Sequence, residues 1–264
     1  KFYIDKGPKI FPKRSKIYGT FRQTLFKGKY DDIELRLALE EIFGNKILQD
    51  SQNLLCIPSY LITEARPWVF KYDHKEGDLS RDNKAKYVDV ALATSAAPTY
   101  FPMAEISTYD NRHFIDGGVW ANNPTLIGYI EAMTYFVGNG KEFDSLEILS
   151  ISSLSLTGGK KTGIKRFRPF IKWKNELFET SMTGQSKFTD YFMRMIKEWT
   201  EIPVKYVRIP SADVSSEHES LVQLDNATEQ SINLINGKGN DQGEIYKKRQ
   251  EVADFFKEPK KIKL

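Results

Sequence analysis

Apolar positions along this chain recur at two spacings, near 3.6 residues and near 2, and the switches between them predict its elements. After Asp31 and Asp32, Leu35, Leu39, Ile42 and Phe43 fall on one face up to Gly44, which predicts an amphipathic helix with acids at its positive end and a glycine stop. Leu54 to Leu61 is an apolar run interrupted by Pro58, read as a buried strand that leaves the sheet near the proline. Trp68-Val69-Phe70 is its neighbour, and His74 to Lys86 reads as an exposed connection. Val88, Ala91, Leu92 and Ser95 give Tyr87 to Ser95 a helical period, which Pro98 stops. Phe114 and Ile115 form a short strand running into Asp116-Gly117-Gly118.

Further along, Asn123 is placed to cap a helix and Pro124 to occupy its first turn, with Leu126, Ile130, Met133 and Val137 along one face. Leu146 to Ile151 is expected as a buried strand. Phe167 to Thr200 reads as two helices broken near Thr183-Gly184, with Met193, Ile196 and Trp199 packing in the second. Val204 to Ile209 alternates as a strand ended by Pro210. Helices are expected from Ala227 to Asn236, stopped by Gly237, and from Gln242 to Phe256. Ile10 to Tyr30 reads as loop with at most a short strand. No repeat or long linker divides the chain, so residues 1–264 are expected as one domain with a tail at 257–264.

The candidate chemistry is a carboxylate at a strand's carboxyl end. In open α/β sheets the ligand crevice lies beyond those ends, and glycine beside an acid lets a substrate or another backbone come close. Asp-Gly alone is a common turn signal, and on that pair alone a hairpin or loop is favoured. The surrounding residues change this. Ala93-Thr94-Ser95-Ala96-Ala97-Pro98-Thr99-Tyr100-Phe101-Pro102, then Phe114-Ile115-Asp116-Gly117-Gly118, then Ala121-Asn122-Asn123-Pro124 resemble the second half of the patatin-like phospholipase signature.

That resemblance implies a three-layer α/β/α fold with a mostly parallel central sheet, and a lipid acyl hydrolase working through a Ser-Asp dyad. Asp116 matches the position of the base. Gly117, Gly118, Asn122 and Asn123 match the active-site loop, and the small residues Ser95, Ala96, Ala97 and Pro98 would pack under the site as its floor. The family's Gly-x-Ser-x-Gly elbow and its upstream glycine-rich oxyanion loop are absent from these residues. Thr183-Gly184-Gln185-Ser186-Lys187 fails the elbow pattern at its last position, and Ser95 lacks the glycines that a strained elbow needs. The start of the chain, Lys1 to Phe11, resembles the segment that follows the nucleophile helix, so an amino-terminal βα part is expected to be missing and the chain alone to be inactive.

The part after Leu146, including Ser181-Met182-Thr183, is similar to bacterial patatin phospholipases activated by cyclic nucleotides in anti-phage signalling. That likeness implies a cyclic dinucleotide activator, allows a homo-oligomer, and places the protein in the cytoplasm, peripheral to the membrane when active. A non-enzymatic storage or interaction protein on the same scaffold is the alternative.

Composition narrows this only a little. The 264 residues carry a net charge of +4, and no apolar run approaches the roughly 20 residues needed to span a bilayer. The single cysteine, Cys56, excludes an internal disulfide framework and reads as core. Lys160, Lys161, Lys165, Arg166, Arg168, Lys172 and Lys174 occur with no acid among them, interleaved with Phe167, Phe170 and Trp173. A solvated loop and helix start is the favoured reading, with a phospholipid-docking surface as the alternative. No nucleic-acid-binding module stands out. Gly158-Gly159-Lys160 fails as a phosphate loop because Lys161 stands where Ser or Thr would bind magnesium. His74, His113 and His218 form no metal or triad pattern, so no cofactor or metal is expected. His74 is read as a loop residue, and His113 as a strand-end residue able to tune the site.

Overall fold

The computed structural model describes residues 2–12, 28–154, 166–167 and 170–257, which fall into two units, one reaching Glu131 and the other beginning at Ala132. The expected loop of residues 10–30, the glycine pair at 158–159, much of the basic stretch and the tail beyond residue 257 lie wholly or largely outside the described residues.

The first unit is built on a four-stranded sheet in the order β2-β1-β4-β3, with β1 Cys56–Leu61, β2 Arg66–Lys71, β3 Ala104–Ile106 and β4 Arg112–Asp116. Every pairing in it is antiparallel. The α/β class is as expected, while parallel pairing among the described strands is confined to the second unit. For the β1–β2 and β3–β4 pairs the reason is the connections. β1 reaches β2 through Ile62–Glu64 and a left-handed Ala65, and β3 reaches β4 through Ser107–Tyr109 and left-handed Asp110 and Asn111. Links that short permit only antiparallel neighbours, and Asp and Asn tolerate the left-handed region better than most residues.

Because side chains alternate along a strand, Ser59, Leu61, Trp68, Phe70, Phe114 and Asp116 share one face of this sheet, as the register Ser59↔Asp116, Leu61↔Phe114 and Ser59↔Trp68 requires. Trp68, Phe70, Tyr109 and Phe114 meet edge-on or tilted at centroid distances of 5.4–6.1 Å, the arrangement that aromatic quadrupoles favour. Helix α3, after α1 Phe2–Ile10 and α2 Ile33–Phe43, covers Tyr87–Ser95. It packs on β1, β3 and β4, burying Val88, Val90, Leu92 and Ala93. The helix of residues 33–43 buries Leu35, Ala38 and Leu39 and turns Ile42 to solvent, while Phe43 stacks on Tyr87 at 5.3 Å. Gly44, at φ 55, ends it as expected.

The stretch from His74 to Lys86 is not simply an exposed connection. Asp82 is buried there and accepts from the Tyr109 hydroxyl at 2.7 Å, the Lys71 backbone N–H at 2.9 Å and the Arg81 guanidinium at 2.7 Å. Burial, and then the Asp82 charge, push the Tyr109 phenol above its usual range. The His74 ring is likewise enclosed, 3.3 Å from Glu76 and 3.7 Å from Glu131. Alternating polar residues signal a solvated loop only when their partners are water, and here they are Lys71, Tyr109 and Glu131 as well as one another.

After α4 Gly118–Ala121 comes α5 Thr125–Tyr135, which buries no residue and leaves Ile130 exposed. In the second unit, β5 Leu146–Ile151 and β6 Val204–Ile209 pair in parallel from Leu146↔Val204 to Ile151↔Ile209. Of β5 only Ser150 is buried, so the strand is where the apolar run placed it but not buried as expected.

Helix α6 runs unbroken over Phe170–Met195. Thr183-Gly184 does not divide it, and Gly237 does not stop α7 Glu229–Tyr246. A glycine within a helix costs about 1 kcal/mol relative to alanine, less than interrupting the hydrogen-bond ladder on both sides would. The Thr228 hydroxyl caps α7 by accepting from Ser231 N–H at 3.3 Å. Met193 and Ile196 are buried as expected and Trp199 is not. The chain continues through the short α8 Gln250–Ala253. Among the described residues no helix is long and apolar enough to cross a membrane.

Candidate active site

Asp116 ends β4, and three backbone contacts fix where it stands. Its residue pairs with Ser59 of β1, its N–H donates to the Ala96 carbonyl at 3.0 Å, and its Oδ1 accepts from the Gly118 N–H at 2.7 Å. The carboxylate lies on the core face of the sheet, the face α3 covers. Burial therefore pushes its pKa up from the ordinary 3.8, and the Gly118 N–H opposes the shift. No cation pairs with it among the described residues. A carboxylate that is partly desolvated and, among the described residues, bonded at one oxygen only is equipped to accept a proton.

Gly117 is a glycine because another backbone comes close, as expected. Its φ of −64 is ordinary for any residue, so the turn itself does not require glycine. Space does. A Cβ at this position would stand 2.3 Å from the Pro58 carbonyl oxygen and 2.5 Å from its carbon. Pro58 cannot yield, because it is held in the β1–β2 ladder opposite Val69 and its carbonyl accepts from the Thr94 hydroxyl at 2.6 Å. The proline does not take β1 out of the sheet. It pairs with β2 there, and the missing N–H falls just where pairing with β4 ends at Ser59.

Three hydroxyls surround the strand end, and all are committed to backbone carbonyls. Ser59 donates to Ile115 at 2.8 Å or Ala93 at 3.2 Å, Thr94 to Pro58, and Ser95 to Ala91 at 2.6 Å within its own helix. Their geometry is that of struts. Trp120 of α4 adds a further tie, its indole N–H donating to the Ser59 carbonyl at 2.8 Å.

Of the other expected site residues, Ala96 is buried beneath Asp116, with Ser95, Ala97 and Pro98 half-buried beside it. Thr99 follows in a left-handed conformation at φ 75, a costly one for a β-branched residue. Asn123 is buried and caps α5, its Oδ1 accepting from the Thr125 N–H at 3.2 Å and the Thr125 hydroxyl at 2.6 Å, whereas Asn122 is exposed. His113 sits an odd number of residues from Asp116 and so faces the opposite side of β4, 3.5 Å from Glu105 on β3; it does not share the site. Cys56 is half-buried, and burial pushes its thiol up to about 11. Among the described residues no group of three or more His, Cys, Asp or Glu side chains could hold a metal ion.

Sequence reading missed Ser59, Pro58, Thr94 and Trp120 as supports of the site. Their partners lie tens of residues away, and only register joins them.

The chain is similar in sequence to known proteins. Residues 4–129 match the family described as patatin-like phospholipase. The chain is 27% identical over 241 residues to a cGAMP-activated phospholipase of Pseudomonas aeruginosa, covering 90% of this chain and 68% of that protein. A cGAMP-activated phospholipase of Vibrio cholerae is 28% identical over 268 residues, covering 98% of this chain and 73% of the relative. Patatin-like protein 2 of Oryza sativa subsp. indica is 36% identical over a shorter stretch of 153 residues, 54% of this chain and 37% of the rice protein. The stretch that builds the Asp116 strand end falls inside the residues that match the patatin-like phospholipase model.

Proposed function

We propose that this chain supplies the general base of a phospholipase, Asp116, and that the serine it serves lies outside residues 1–264. The observation that carries this reading is a partly desolvated carboxylate at a strand end, bonded to one backbone N–H and paired with no cation among the described residues, within the segment matched to the family. In the reaction the serine oxygen attacks the acyl carbonyl of a glycerophospholipid as its proton passes to Asp116. The tetrahedral intermediate collapses, the ester bond to the glycerol oxygen breaks, and that oxygen takes the proton from Asp116. Water then attacks the acyl-enzyme, gives a proton to the same carboxylate, and releases the fatty acid as the proton returns to the serine.

Gly117 and Gly118 hold the loop close enough for this, and Ser95 to Pro98 form its floor. The names of the bacterial relatives support a cyclic dinucleotide as activator, and a phospholipid membrane is the substrate surface.

The test is Asp116→Asn in the protein expressed from its whole reading frame. Asparagine keeps the acceptor for the Gly118 N–H, so the fold should persist while release of fatty acid from phospholipid vesicles falls by about 10²–10⁴-fold. Retained turnover would reject Asp116 as the base.

A further inference from the structure

Helix α6 of the second unit has two apolar sides. One is packed: Thr189 and Met193 are buried, and the Tyr206 hydroxyl of β6 donates to Asp190 at 2.8 Å. The other carries Leu177, Phe188 and Tyr191, which with Gly184 fall within about 60° of one another around the helix at 100° per residue. These three side chains are 57%, 62% and 61% exposed, and Phe167, just before the helix, is 87% exposed with the Arg166 guanidinium 5.8 Å from its ring. Amphipathic design alone places apolar residues toward the core, so a second apolar stripe on the solvent side needs its own occupant.

Charge identifies that occupant. Seven basic residues between positions 160 and 174, with no acid among them, precede this stripe in sequence, and Lys187 stands on its edge. Aromatics and leucine beside cations match a surface with anionic headgroups above hydrocarbon. We propose that the exposed face of α6, continuous in sequence with the basic stretch, docks the protein on anionic phospholipid bilayers; this rests on the phospholipase reading only for its purpose, not for its geometry. Phe188, Tyr191 and Leu177 enter the acyl boundary. Arg166 and Lys187 remain at the phosphate level.

The experiment is co-sedimentation of the whole-frame protein with vesicles of phosphatidylcholine, with and without about one third phosphatidylglycerol, run beside light scattering of the protein alone. The parent should bind the anionic vesicles, more weakly at high salt. Phe188→Asp should weaken that partitioning roughly tenfold or more, and Lys187→Glu by a smaller factor. Both residues are exposed, opposite the packed side, so the fold is spared; Phe188→Ser serves as the milder second variant. Hydrolysis of a soluble short-chain ester should be unchanged in all three, which separates docking from chemistry. Asp116→Asn, conversely, should bind vesicles as the parent does, and its retained turnover would count against the base while leaving the docking face standing. Equal vesicle binding by the parent and Phe188→Asp would overturn the proposal. So would a parent that ignores anionic vesicles, or a Phe188→Asp that splits a complex of copies without altering vesicle binding.

Discussion

Replacing Gly117 by alanine would put a methyl group 2.3 Å from the Pro58 carbonyl oxygen, 2.5 Å from its carbon and 2.9 Å from its Cβ. Carbon and oxygen atoms in ordinary contact stand about 3.5 Å apart, so roughly 1 Å of movement is required. The obstructing atoms are backbone and side chain of a strand that is paired with β2, tied to Thr94 and continuous with the Ser59↔Asp116 pair. Overpacking of this kind costs about 1–3 kcal/mol. We expect the upper part of that range, because no flexible side-chain end is available to give way. With a urea slope of about 1–3 kcal/mol per molar, the unfolding midpoint should fall by about 1 M with the slope unchanged. If Asp116 is the base proposed above, a displacement of about 1 Å there should also lower turnover about 10²-fold. Gly128→Ala is the matched control: it lies in α5 with nothing within 4 Å of an added Cβ, and should stabilise by about 0.5–1 kcal/mol. A Gly117→Ala protein as stable as the parent would refute the argument that space, rather than conformation, selects glycine beside Asp116.

Asp82→Ala removes the acceptor of Tyr109, Lys71 N–H and Arg81 at once and should cost about 3–5 kcal/mol in denaturant melts, whereas Tyr109→Phe should cost about 1–2 kcal/mol. Thr94→Val frees the Pro58 carbonyl and should destabilise by about 1–2 kcal/mol on the same measurement. For Asp116 the sign of the pH dependence follows from burial. Its folded pKa is raised, so the stability it contributes is whole below the unfolded value of 3.8 and is lost as pH rises through the folded value. Asp116→Asn should therefore gain in stability relative to the parent between about pH 3 and pH 7, and a flat difference would count against the burial. The acid limb of activity should accordingly lie above the ordinary aspartate value.

Much of the chain is legible without coordinates where one local rule decides. The helices at 33–43 and 87–95, the strands Cys56–Leu61, Arg66–Lys71 and Val204–Ile209, and the cap at Asn123 follow from period, glycine or proline punctuation, and one side-chain acceptor. Asp116 could be singled out because an apolar pair ends in an acid beside two glycines within a long family pattern. Tertiary structure decided the rest. Gly184 and Gly237 read as breaks in sequence yet sit inside helices, since the ladder on either side outweighs one residue's preference. Strand direction in the β1–β2 and β3–β4 pairs came from connection length, and the burial of Asp82 and His74 from partners that are remote or mutual. The supports of Asp116 are of the same kind: Ser59, Pro58 and Thr94 become its neighbours only when β1 is laid beside β4 in one register. A local pattern can propose a carboxylate; its burial and the crowded space beside it exist only once distant strands are brought together.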